Sequence, residues 1–223
     1  MLNIGYHPLI WREAIGAILP KPNKPDYSVP KAYRIIALLN CLGKVSEKII
    51  ANRLAIYSEE RQILHPSQFG RKQRSAIDAA MSLVNQIEEA KSNKLITSVL
   101  FLDVKGAFDN VSKTRLLDTL HQMALPIQII QWVEHFMTMR LISLAFDRQI
   151  ESQKPVEIGI LQGSPTSPIL FLLYMAPLYK LLEQKHKAIY TPNYIDDVSL
   201  VATGKTEKLN IEELEKVAKT AFQ

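Results

Sequence analysis

The feature that most limits the fold is a pair of adjacent carboxylates, Asp196-Asp197, preceded by Tyr194-Ile195 and set between apolar runs at Ala188 to Tyr190 and Val198 to Ala202. β-Branched and aromatic residues on both sides favour extended backbone. Asp suits a turn, where its side chain bonds nearby backbone. The local expectation is therefore strand, tight turn, strand. Two neighbouring Asp repel each other, and a turn seldom needs both. A hard divalent cation relieves that repulsion, because Mg²⁺ takes one or two carboxylates together with phosphate oxygens. The competing reading is an exposed hairpin tip with two solvated carboxylates.

A second stretch, Ser98-Val99-Leu100-Phe101-Leu102-Asp103, is an apolar run that ends in a carboxylate. Gly106 follows, then an expected helix from Lys113 to Met123. The run suits a strand over 98–104 buried on both faces. Asp103 then emerges at the edge of a packed sheet, where burial without a partner is costly. If this strand lies beside the 189–201 hairpin, Asp103, Asp196 and Asp197 converge. That geometry suits two-metal phosphoryl transfer, with ions about 3.5–4 Å apart clamping the attacking and leaving oxygens.

Further motifs carry chemistry. Arg71, Lys72 and Arg74 cluster in front of Ser75, which reads as an N-cap with Asp78 three residues on, for a helix to about Ala90. Arg and Lys are natural phosphate partners; the plainer reading is a solvated loop. In Gln162-Gly163-Ser164-Pro165, Gly163 permits close backbone approach to a ligand. Pro165 or Pro168 fits the first turn of a helix running to Glu183. Thr203-Gly204-Lys205-Thr206 looks like the end of a phosphate-binding loop, but Ser199 stands where that motif needs Gly. The five His and the single Cys show no zinc-site spacing.

Several ordered blocks together resemble the reverse transcriptase domain of non-LTR (LINE-type) retrotransposons. They are Ala32 to Asn40, Gln68 to Asp78, Phe101 to Val111, Leu161 to Leu170 and Tyr194 to Asp197. The resemblance covers nearly the whole chain. It implies an α+β fold, the fingers and palm of a right-hand polymerase, with the thumb absent. The antiparallel palm sheet would carry the three Asp, backed by helices 113–123, 165–183 and 211–222. Residues 1–95 would be mostly fingers, 96–124 and 161–223 mostly palm, and 125–160 the connection between them. The implied activity is RNA-directed DNA polymerisation. Asp103 and Asp196 would hold two Mg²⁺ (Mn²⁺ possible as substitute) with support from Asp197. Arg71, Lys72 or Arg74 would grip phosphate, and Gln162 and Gly163 would meet the incoming nucleotide. Phe108, five residues after Asp103, would exclude the ribose 2′-hydroxyl. Implied partners are an RNA template, a DNA primer and dNTPs.

The chain departs from the family pattern in two places. The family form has one more residue between Gly70 and Arg71, and Ile35 stands where Pro is usual. The family also continues past the Asp196-Asp197 hairpin into a primer-gripping hairpin and a thumb. A second reading is therefore a truncated, catalytically silent remnant that at most binds nucleic acid.

Composition adds bounds. At 223 residues and 47% hydrophobic content, the chain can bury a core and is not disordered. Residues 1–75 hold 12 Lys and Arg against 5 Asp and Glu, a basic third that suits a polyanion, while the whole chain is +5. Cys41 is expected as a small buried hydrophobe, and one cysteine allows no internal disulfide. No apolar run approaches the roughly 20 residues of a membrane span, and Arg12 and Glu13 interrupt the N-terminal apolar stretch. The expectation is an intracellular protein, nuclear or cytoplasmic, not secreted. Remaining elements are expected at Ala14–Leu19 (strand), Leu42–Tyr57 (helix), Ile127–Met139 (helix, with Trp132, Val133, Phe136, Met137 and Met139 as core), Leu141–Phe146 and Val156–Leu161 (strands), and Ile211–Phe222 (helix).

Overall fold

A computed structural model describes residues 4–71 and 74–222. In chain order the elements are β1 (Glu13–Pro20), β2 (Tyr33–Leu39), α1 (Cys41–Glu60), β3 (Gln68–Phe69), α2 (Ala76–Ser92), β4 (Ile96–Asp103), α3 (Lys113–Gln122), α4 (Ile127–Phe136), β5 (Arg140–Phe146), β6 (Gln149–Ile150), β7 (Lys154–Val156), α5 (Ser167–Lys185), β8 (Ile189–Tyr190), β9 (Asn193–Tyr194), β10 (Asp197–Gly204) and α6 (Glu207–Ala221). They form two compact units interleaved in sequence, one from residues 1–54 and 108–170, the other from 55–107 and 171–223.

The first unit is built on a sheet in the order β2-β1-β5-β6, with β7 also on β5. β1 runs antiparallel to β2 and parallel to β5. Ala14, Ala37, Leu39 and Leu161 form a core cluster with Ile142 and Val156 against it. α3 packs on α4 in this unit. α4 buries Trp132, Val133 and Phe136, with the Trp132 and Phe136 rings stacked 5.2 Å apart. His7 wedges edge-on against both rings, and burial lowers its pKa to about 4, helped by the Arg12 cation. Met137 is buried, but Met139 is 71% exposed and not core, because the chain reverses there at φ 54° into β5. The strand expected over Val156–Leu161 ends at Val156. Its successors bond elsewhere: Gly159 N donates to Val111 O at 3.0 Å and Ile160 N to Phe108 O at 2.8 Å.

α1 buries a stripe of Glu47, Ile50, Ala51, Leu54 and Ser58, the i, i+3, i+4, i+7, i+11 spacing of one helix face. Val45, Ile49 and Ile56, apolar but off that face, are exposed. So is Cys41, which opens the helix and is not the buried hydrophobe expected. Two residues on, Gly43 lies against Trp11, where a Cβ would stand 3.3 Å from the Trp11 Cβ.

The second unit carries the sheet β3-β9-β10-β4, with β8 also on β10. β10 pairs antiparallel with β4 over its whole length, from Asp197 opposite Asp103 to Gly204 opposite Ile96. The sheet is not wholly antiparallel, since the two-residue β3 runs parallel to β9. One face packs a core of Val198, Leu200 and Ala202 with Leu100 and Leu102, under Tyr179 and Leu182 of α5 and Leu214 and Val217 of α6. The period-2 alternation of a strand puts these residues on one side. Phe101, on the other side of β4, is 68% exposed. Thr97 and Val99 on that side are part-buried and α2 also packs on β4, so the second face is open at Phe101 and covered further back. α6 starts earlier than its apolar stripe implies because Thr206 caps it, accepting from Leu209 N at 3.4 Å. Asn210 then ties the helix to β4, donating to Ile96 O at 2.8 Å. α2 begins at the expected capping box, with Ser75 and Asp78 bonding each other's backbone N–H.

Candidate active site

Asp103 is the last residue of β4 and Asp197 the first of β10, and the ladder sets them directly opposite. Asp196 occupies the turn between β9 and β10. The turn forms because Ile195 adopts a left-handed conformation at φ 53°, which is rare for a β-branched residue and costs on the order of 1–3 kcal/mol. Gly70, itself at φ 85°, lies against the Ile195 side chain, and any Cβ there would collide with it. Gly70 thus makes the room in which Ile195 holds the strained turn and Asp196 is presented.

Asp196 senses the other two carboxylates. The Asp196 carboxyl is pushed above the usual carboxylate range by partial burial and by the charges of Asp197 and Asp103. Tyr179, buried on α5, has its phenol pushed up by burial and by Asp196. Repelling carboxylates at the open end of a ladder are the donor set that a hard divalent cation neutralises. Among the described residues no group of three His, Cys, Asp or Glu is placed to hold a metal ion by itself.

The basic cluster is engaged within the protein. Arg71 places Nη1 2.9 Å from Glu59 Oε1, and its side chain is only 6% exposed. Arg74 lies over the Phe69 ring, 5.7 Å from its centroid, and donates to the Pro66 carbonyl. A bridge pairs the Arg71 and Arg74 backbones. Lys72 falls outside the described residues.

Phe108, Gln162 and Gly163 belong to the first unit. Phe108 is half-buried, with its carbonyl held by Ile160 N. Gln162 borders a cavity of about 310 Å³ together with Asp109, Ile35, Ala37 and Ile142. The turn is fixed to β2 by Ala37 N donating to Gln162 O at 2.7 Å. Gly163 sits at φ 108°, where a Cβ would stand 2.6 Å from the Ala37 carbonyl oxygen. Here the close backbone approach expected of Gly163 is to the protein's own strand.

Two residues that shape these turns escape a reading of motifs. Gly70 gives no signal apart from its place before the basic cluster. Glu47 has one: it lies three residues before Ile50, in phase with the buried stripe of α1.

A helix-backed sheet whose central ladder ends in three carboxylates is the fingers-and-palm kind of polymerase fold. The chain belongs to the reverse transcriptase (RNA-dependent DNA polymerase) family, whose model matches residues 19–223. The resemblance to non-LTR retrotransposon enzymes drawn from the sequence blocks holds. The chain is 31% identical over 208 residues to the probable RNA-directed DNA polymerase from transposon X-element of Drosophila melanogaster, covering 93% of this chain and 23% of that protein. It is 28% identical over 207 residues to the corresponding protein from transposon BS of the same organism, covering 90% of this chain and 22% of the relative. The chain thus spans less than a quarter of these relatives' length. Among solved structures it is similar in fold to apo telomerase from Candida tropicalis truncated from its C-terminal domain, with a TM-score of 0.62 at 12% identity over 93% of this chain and 46% of that one.

Proposed function

We propose that this chain supplies the fingers and palm of an RNA-directed DNA polymerase that adds deoxynucleotides to a primer 3′-hydroxyl on an RNA template. The observation that carries the reading is the register of β10 on β4, which sets Asp197 opposite Asp103 with Asp196 in the adjoining turn. Residues 1–95 make most of the fingers and 96–124 with 161–223 most of the palm, joined through 125–160. Asp103 and Asp196 would hold two Mg²⁺, or Mn²⁺, with support from Asp197, and the ions would supply Lewis-acid activation of the 3′-hydroxyl and charge neutralisation at the triphosphate. The carboxylates' mutual repulsion makes the site ready to accept positive charge.

The basic cluster grips the nucleotide's phosphates. Arg71, Lys72 or Arg74 makes that contact; Arg71 does so by leaving Glu59 and Arg74 by leaving the Pro66 carbonyl. Phe108 sets the preference for deoxyribose, and Gln162 with Gly163 meets the incoming base and sugar. The template is held mainly through its backbone, in keeping with the basic N-terminal third. The site of action is intracellular, in nucleus or cytoplasm.

The test is Mg²⁺-dependent dNTP incorporation on a primed RNA template, comparing wild type with Asp196→Asn. Loss of at least about a hundredfold in rate, with an unchanged thermal melt, supports the reading. A folded wild type that binds RNA in a salt-sensitive way yet incorporates nothing overturns it, and leaves a catalytically silent nucleic-acid-binding piece. Phe108→Ala is expected to admit ribonucleotides, read as rNTP uptake beside dNTP uptake.

A further inference from the structure

α1 buries a carboxyl that the catalytic reading does not use. Glu47 is 0% exposed. Its Oε2 accepts from Ser164 Oγ at 2.5 Å, and its main-chain carbonyl accepts from Thr166 Oγ1 at 3.0 Å. Ser164 Oγ in turn accepts from Thr166 N at 3.1 Å. The same turn is tied on another side to β2, through Ala37 N to Gln162 O and the close approach of Gly163 to the Ala37 carbonyl. Gln162-Gly163 is therefore gripped from two directions, by a strand backbone and by a helix side chain.

We infer that Glu47 is the positioning residue of the Gln162-Gly163 turn, fixing it through the Ser164 hydroxyl and so setting how the turn meets the nucleotide. The inference rests on the proposed polymerase role of Gln162. An apolar residue at position 47 would fill the space without orienting Ser164. A carboxyl does orient it, at a desolvation cost that a merely space-filling position has no reason to bear.

The carboxyl also makes the grip respond to pH. Glu47 Oε1 is buried with no hydrogen-bond partner, so ionisation places charge where no donor meets it. Burial pushes the pKa up to about 7, with Ser164 and Lys44 acting the other way. Lys44 is one turn earlier on the same helix, and the turn Gln162 to Thr166 brings hydroxyl and amide groups but no charge. Protonated, Glu47 keeps the turn in place. Ionised, it bonds the Ser164 hydroxyl more strongly but draws water or the Lys44 amine toward Oε1, and admitting them opens the turn.

The test compares wild type, Glu47→Gln and Ser164→Ala. The E47Q side chain still accepts from Ser164 but does not titrate. Amide hydrogen exchange over 162–167, compared between variants at the same pH, is expected to match for wild type and E47Q at pH 5.5. At pH 8.5 the wild type should exchange about tenfold faster than E47Q. S164A should exchange faster than E47Q at both. The KM for dNTP should rise about fivefold in wild type between pH 6 and 8.5, with kcat moving less, and stay within about twofold in E47Q. Identical exchange in wild type and E47Q at both pH values overturns the inference. So does a KM whose pH profile is the same in the two proteins, since Glu47 would then be structural only. If no protein incorporates nucleotide, the polymerase reading falls by itself, and the exchange comparison still decides whether Glu47 holds the turn.

Discussion

At the scale of single residues, the chemistry is written in carboxylates and the geometry in glycines. Gly163 has a φ of 108° and stands where a Cβ would meet a backbone oxygen at 2.6 Å. Gly163→Ala should therefore cost more than conformational strain alone, on the order of 2–4 kcal/mol, read as a lowered urea midpoint at unchanged slope. Glu47 gives a pH prediction with a definite sign. Its folded pKa of about 7 lies above the ordinary 4.5, so between those values the unfolded chain has already lost a proton that the folded chain keeps. Stability is then greatest below about pH 4.5 for this group and declines until about pH 7, by on the order of 3 kcal/mol. Denaturation of wild type beside Glu47→Gln across that window should show the decline in the first and not from this source in the second. The Asp residues were legible because each interrupts or ends an apolar run, where a charge needs a reason. Glu47 was not, because in Leu42-Gly43-Lys44-Val45-Ser46-Glu47-Lys48 it reads as one more charge on a helix surface, and only the phase of the stripe betrays it.

At the scale of elements, local signals decided starts better than ends. The Ser75 capping box was readable because the Ser and Asp spacing names its own hydrogen bonds. Ser75→Ala should cost about 1 kcal/mol, seen as a lower melting temperature with the β-sheet signal intact. Thr206 was a cap hidden in a near-miss phosphate motif, so α6 begins four residues before its apolar stripe. Asn210→Ala removes the donor to the Ile96 carbonyl and should cost about 1–3 kcal/mol by stranding that oxygen, measured in the same melt. The strand expected over Val156–Leu161 failed for a non-local reason. Its N–H groups find carbonyls at Phe108 and Val111, some fifty residues away in sequence, which no pattern within the strand reveals. The burial expected of both faces of β4 stops short at Phe101, which an apolar run alone does not reveal.

At the scale of the molecule, the family and fold class were legible because five blocks in order leave few alternatives. The make-up of the compact units does not read from local patterns, because each is assembled from two separated stretches of chain. Charge, by contrast, is a whole-chain quantity that reads directly. A net +5, with 12 basic residues against 5 acidic ones in the N-terminal third, predicts RNA affinity that falls at least about tenfold from 50 to 200 mM salt, with a linear log–log dependence in a filter-binding or anisotropy titration. A flat salt response would mean that phosphate contacts contribute little.

One small feature of α1 has a practical use. Cys41 is the sole thiol in the chain and is exposed at the start of the helix that carries Glu47. Trp11 packs two residues further along, against Gly43. A bimane attached to the native cysteine would sit within contact-quenching reach of an indole already in place. The wild-type sequence thus holds both halves of an optical gauge, able to time the movements of this helix start without a single engineered mutation.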